Sequence, residues 1–226
     1  MNPTNRAYLH IEEVSLLIQH AKISRGIRLT HAKALSKGTA EYPLTRVEVK
    51  TLTIHSGVLS ESLDNVILGQ LPKRNIIGFV ENDAFNNHRS KNPFNFRHFN
   101  INHFSLYVDD MQIPTKPLQP DFSTGKLYID AYQTMFSGTG MYLMNEGNNI
   151  DRFDYANGYC LFAFDLTLDL STNCQSHRNL VKHSSLRIEF RVEETLQQTI
   201  NCIVYAEYDN VLEIEASRQV IVDYSG

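Results

Sequence analysis

The chain has 226 residues, a formal net charge of -4, and 20% charged residues of both signs. All-β domains run undivided to this size, and a chain this long buries a sizeable apolar core without staples. The mixed, slightly acidic balance argues against a nucleic-acid-binding protein and against a disordered acidic tail. The 12 Phe and 11 Tyr favour strands over a helical bundle.

The three cysteines are Cys160, Cys174 and Cys202. An odd number without a CxxC pair predicts neither a disulfide framework nor a cysteine zinc site, and it points to a reducing compartment. The N-terminus, MNPTNRAYLHIEE, lacks an apolar signal core. No apolar run is long enough to span a bilayer. Asn2 is followed by Pro3, so no glycosylation sequon forms. The expected product is soluble and intracellular.

In chain order, the segment 8–23 is apolar, and Val14, Leu16 and Ile18 on one side predict a strand over 13–23. Ile27 to Ser36 reads as a helix, with Leu29, Ala32 and Leu35 at three-residue spacing and Gly38 beyond its end. Tyr42 to Ile54 has period two, with Val47 and Val49 assigned to the core and Arg46, Glu48 and Lys50 to solvent. Residues 59–68, LSESLDNVIL, predict a helical turn or two capped by Ser60. Lys73 to Val80 is a buried strand, followed by a long polar and aromatic loop. Phe99 to Val108 is a strand ended by Asp109-Asp110.

Pro114, Pro117 and Pro120 exclude a central strand in their stretch. Leu127 to Phe136 predicts a helix, and SGTG and NEGNN mark turns. Tyr159 to Leu170, Leu186 to Val192 and Ile200 to Ile214 alternate as strands, and Gln219 to Tyr224 closes the chain. About eight short strands with long loops predict a mainly β fold, an antiparallel jelly-roll sandwich. Residues 1–40 form an N-terminal strand and linker helix, and residues 41–226 the jelly-roll domain. The expected core comprises Val47, Val49, Leu106, Phe162, Phe164, Ile188, Phe190, Ile203 and Tyr205.

Chemistry-bearing patterns are sparse. Glu48-Val49-Lys50 has the spacing of a nuclease E-x-K half-motif, but the second acidic residue that metal-dependent cleavage needs has no evident place. A solvated strand face accounts for Arg46, Glu48 and Lys50. His98 and His103 flank a strand start without an HxH or HExxH pattern. His177 and His183 lie in a polar loop near Cys174 and read as ordinary hydrogen-bonding residues. Gly138-Thr139-Gly140 lacks the lysine and the strand-to-helix setting of a phosphate loop, and reads as a turn. His88, Arg89, Lys91 and Arg97 interleave with Phe85, Phe94, Phe96 and Phe99, a mixture that in a basic groove binds single strands. With a negative chain and four cations, a loop anchored by its phenylalanines is the better reading. The expectation is no catalytic residue, no metal ligand and no cofactor.

Longer runs carry more information. LPKRNIIGFVENDAFNN, KNPFNFRHFNINHFSLYVDDMQIPTKPLQPDF, FSGTGMYLMNEGNNIDRFDYANGYCLFAFDLTLDL, NLVKHSSLRIEFRV and INCIVYAEYDNVLEI resemble proteins encoded in Polinton (Maverick) elements and adintovirus-like genomes of animals. The similarity covers nearly the whole chain. Asn157-Gly158-Tyr159 through Phe164-Asp165, and Tyr208 through Ile214, are also similar to the second jelly roll of the double jelly-roll major capsid proteins of large DNA viruses. Glu213 stands where that pattern has a basic residue.

The resemblance implies a coat subunit that assembles with copies of itself, as a homotrimer, and with other capsid proteins in a virion or virus-like particle. It also implies that residues 13–23, 27–37 and 42–54 correspond to the last strand of a first jelly roll, a linker helix and the first strand of the second. About half of a full capsid protein would then be absent. Two other readings stand beside it: a metal-dependent nuclease or processing enzyme of the same element, and a domesticated host binding module.

Overall fold

A computed structural model describes residues 10–123, 127–143, 147–170, 172 and 182–222. The chain divides into two compact units, residues 1–40 with 214–220, and residues 41–213 with 221–226.

In the first unit, helix α1 (Arg25–Leu35) begins where Ser24 accepts a hydrogen bond from the Ile27 N–H at 3.4 Å, satisfying one of the free N–H groups of the first turn. No residue of α1 is buried. Residues 10–23 form neither helix nor strand. The strand expected over 13–23 is therefore corrected: a strand needs a partner for its N–H and C=O groups, and none of the described residues supplies one. Leu16, Leu17 and Ile18 are exposed, Leu17 to 92%.

The second unit is built from two antiparallel sheets. β1 (Ala40–Ile54), β8 (Ile200–Ile214), β3 (Arg74–Glu81) and β6 (Leu161–Asp165) lie in that order in one sheet, with β9 (Val220–Val222) pairing β8 off this order. β2 (Ser60–Gln70), β7 (His183–Val192), β4 (Ile101–Val108) and β5 (Met111–Leu118) form the other. The pairs β1–β8, β2–β7, β3–β6 and β4–β5 are nested, so the chain winds as a folded-back ribbon of paired strands. That is the jelly-roll topology, two sheets sharing one core.

Strands stand where they were expected over 42–54, 73–80, 99–108, 186–192 and 200–214, and the strand expected over 159–170 is confined to Leu161–Asp165. Residues 59–68 are corrected from helix to strand. Within β2 the register against β7 shifts between Leu63 and Ile67, and Asn65 takes a φ of 50°. This bulge breaks the period-two pattern that would have marked a strand. β5 holds Pro114 and Pro117 and lies at a sheet edge, where a missing N–H costs no ladder bond. Asp109 and Asp110, at φ 47° and 65°, turn β4 into β5 as a two-residue hairpin of the type that needs two positive φ values.

Phe79, Phe104, Phe162 and Phe190 are fully buried between the sheets, and Phe104 stacks on Phe162 with ring centroids 4.2 Å apart. Leu106, Ile188 and Phe164 join them as expected. Four expected core residues do not. Val47 and Val49 are exposed, and Ile203 and Tyr205 are half-buried on the outer side of β8. The inward residues are Cys202, Val204, Ala206 and Tyr208 on β8, and Arg46, Glu48, Lys50, Leu52 and Ile54 on β1. The facing of both strands is inverted relative to the expectation.

The short α2 (Asn82–Phe85) follows β3, and between β5 and β6 the chain forms α3 (Ile129–Ser137) and, capped by Asp151 and Asp154, the short α4 (Arg152–Ala156). α3 lies close against β6: a Cβ on Gly138 would stand 2.2 Å from the Ala163 carbonyl oxygen.

Candidate functional site

Among the described residues, those singled out for chemistry lie on separate elements. On β1, Glu48 is held between Arg46 at 3.6 Å and Lys50 at 3.5 Å, both on its own strand. Arg46 in turn lies over the Tyr208 ring, 4.3 Å from its centroid. Burial raises the Tyr208 phenol to about 12, with the Glu48 charge adding to the shift.

His183 opens β7 opposite Gln70 and is exposed. His177 and Cys174 lie outside the described residues. Among the described residues no group of three or more His, Cys, Asp or Glu is placed to hold a metal ion. Cys160 and Cys202 are buried free thiols, and burial pushes both above their ordinary range, Cys160 to about 12. No helix is long and apolar enough to cross a membrane among the described residues.

Gly138-Thr139-Gly140 ends α3 rather than cradling a phosphate. Arg74 donates from Nε to the Gly138 carbonyl at 3.2 Å and from Nη2 to the Thr139 carbonyl at 3.2 Å. Its Nη1 reaches Glu207 at 3.2 Å, and Glu207 also meets Lys73 at 3.1 Å. The ionic groups here fasten a helix to a sheet.

The basic and aromatic loop is likewise tied to its own fold. Glu81 pairs with Lys91 at 2.7 Å and with Arg97. These contacts, with a hydrogen bond from Gln198, hold the Glu81 carboxyl down at about 2. Arg97 also lies over the Phe99 ring. Phe96 covers Gly78, where a Cβ would stand 2.6 Å from the ring. Phe85 and Phe94 are exposed, so two of the four phenylalanines anchor the loop and two do not.

Two clefts of the second unit hold ionisable groups. One of 390 Å³ lies between β5 and α3, where Lys116 and Asp130 share a lining otherwise built from proline, leucine and neutral polar groups. Another, of 220 Å³, is bounded by Arg97, His98 and Glu194 among other residues.

What the second unit does present is surface. The outward side of β1 carries Thr45, Val47, Val49, Thr51 and Thr53, all exposed. The Thr53 hydroxyl donates to Asn201 Oδ1 at 3.1 Å, which puts this row on the same face as the outward residues of β8. β1 is the end strand of its sheet. Its alternate β-branched residues mark a strand in sequence but read there as a core face.

No family model matches the chain. It is 24% identical over 217 residues to the uncharacterized protein F54H12.2 of Caenorhabditis elegans, covering 95% of this chain and 51% of that protein. It therefore spans about half the length of the curated relative it matches. Among solved structures, a chain in the crystal structure of PBCV-1 VP54 fitted into a cryo-EM reconstruction of the virophage Sputnik gives a TM-score of 0.50. That likeness is at 8% identity and covers 90% of this chain and 55% of that one. A chain of the Sputnik virophage cryo-EM structure gives a TM-score of 0.48 at 15% identity, covering 82% of this chain and 39% of the other.

The chain has a capsid-type jelly-roll fold. At these identities the likeness establishes architecture alone, and the β1–β8, β2–β7, β3–β6, β4–β5 nesting establishes the same architecture independently.

Proposed function

We propose that this protein is a structural coat subunit. Its jelly roll corresponds to the second jelly roll of a double jelly-roll major capsid protein from a Polinton- or adintovirus-like element, and its place is in a virion or virus-like particle. The observation that carries the reading is the complete nested pairing of eight strands, joined to a likeness with the VP54 chain over 90% of this one. The resemblance of the long sequence runs to animal-element proteins supports the lineage, and the Caenorhabditis elegans relative supports an animal setting.

On this reading the working surfaces are strand edges and outer faces, and the partners are copies of the same chain, arranged as trimers, together with other capsid proteins. α1 links the jelly roll to a preceding one, and the apolar segment over residues 10–23 is covered within the assembly.

The test pairs two measurements on the purified full chain. Sedimentation velocity over rising protein concentration should show reversible assembly into discrete oligomers. Incubation with labelled DNA and magnesium, manganese or zinc should release no fragments above background. Metal-dependent cleavage that disappears on Glu48→Ala favours the nuclease reading and overturns this one.

A further inference from the structure

We propose that the free edge of β1 pairs antiparallel with β1 of a second copy about a two-fold axis at Val49, joining two jelly rolls through one continuous sheet. This goes beyond the coat reading and does not depend on it.

β1 is an end strand in the order β1-β8-β3-β6, and no other described strand pairs with its outer side. It is 15 residues long. A long end strand presents a row of unpaired N–H and C=O groups, which is a template for a further strand. The protections it carries are Pro43 and the inward charges Arg46, Glu48 and Lys50, which a partner strand neutralises only in a register that pairs them. Pro43 stands at one end, and the exposed face over 45–53 is entirely Thr and Val apart from the alternate inward positions.

The register follows from charge. In a two-fold antiparallel pair, facing residues must share a face, so the axis passes through a residue. An axis at Glu48 sets Glu48 against Glu48 and Arg46 against Lys50, which is repulsive throughout. An axis at Val49 sets each Glu48 against the partner's Lys50, in both directions. It also sets Val49 against Val49, Val47 against Thr51 and Thr45 against Thr53. Opposite charges and β-branched pairs across strands are the stabilising combinations. Leu44 to Ile54 then form the ladder, and Pro43, which has no N–H to give, falls just outside it. An axis at Val47 also matches Arg46 with Glu48, but it draws Pro43 into the ladder opposite Thr51. Glu48 and Lys50 are each more than a third exposed along their side chains, so both are available to a partner.

Thiol trapping in the full chain reads the register directly. Val49→Cys should give a disulfide-linked dimer on mild oxidation, because residue 49 faces its own copy. Thr53→Cys alone should remain monomeric on a non-reducing gel, yet cross-link when mixed with Thr45→Cys. Sedimentation then reads the charge pattern: Glu48→Lys should abolish the dimer, and Glu48→Lys with Lys50→Glu should restore it. Circular dichroism confirms that each variant is folded, and the trapping result stands apart from the charge variants if Glu48→Lys unfolds. The proposal is overturned if Val49→Cys forms no dimer, or if Thr53→Cys cross-links as readily as Val49→Cys. Oligomers that persist while Val49→Cys forms no cross-link overturn this contact and leave the coat reading standing.

Discussion

The Arg46 guanidinium lies 4.3 Å from the centroid of the Tyr208 ring, and Tyr208 is 2% exposed. A residue expected in solvent thus covers a buried aromatic, and its own Nε and Nη2 are buried without hydrogen-bond partners. Its methylene stem and flat cation provide packing, and the stacking contributes about 0.5–2 kcal/mol. Arg46→Ala should lower stability by about 1–2 kcal/mol in urea unfolding, whereas Val47→Thr on the opposite face should stay within about 0.5 kcal/mol of the native chain. Equal effects of the two substitutions would contradict the inward placement of Arg46.

Phe164 is 5% exposed and stacks on Phe104 with centroids 5.9 Å apart. Phe164→Ala should cost about 3–5 kcal/mol, the usual loss for truncating a core aromatic. Thermal unfolding with a matched chemical-denaturation series measures it. A loss near zero would place that ring outside the core.

Asn75 is fully buried on β3, and neither its Oδ1 nor its Nδ2 has a hydrogen-bond partner. An unsatisfied buried amide costs about 1–3 kcal/mol. Asn75→Leu, of similar size, should therefore raise the denaturation midpoint. A lowered midpoint would mean that the amide contributes a favourable interaction.

The Glu81 carboxyl sits at about 2, against 4.5 for the free group, because Lys91 and Gln198 hydrogen-bond its charged form and Arg97 adds its charge. A depressed carboxyl contributes stability that is complete above the unfolded value and is lost as pH falls through the folded one. Between pH 4.5 and about 2 the native chain should lose stability on this account. Glu81→Gln should be less stable at neutral pH and show a flatter decline over that window. Parallel acid limbs for the two proteins would exclude Glu81 as a contributor.

Strands β1, β3, β4, β6, β7 and β8, helix α3 and the exclusion of a central strand at Pro114 and Pro117 were legible in sequence, because alternation, helical spacing and proline each have a local cause; that the proline stretch forms the edge strand β5 was not. β2 was not, because its bulge at Asn65 interrupts the alternation. The facing of β8 was not, because both of its sides are apolar: Cys202, Val204 and Ala206 inward, Ile203 and Tyr205 outward. On β1 the charged row was read as solvated, and no local pattern reveals that Tyr208, more than 150 residues away, receives Arg46. The outward Thr and Val row of β1 became visible only once the facing was known.

Electron microscopy of the expressed full chain, taken from the fast-sedimenting fraction of a density gradient, tests the coat reading most directly. The account predicts regular closed or sheet-like assemblies whose repeating unit is a ring of jelly rolls with a pseudo-hexagonal outline. A chain that remains monomeric at every concentration, with no ordered assembly alone or with the other coat proteins of its element, would contradict it.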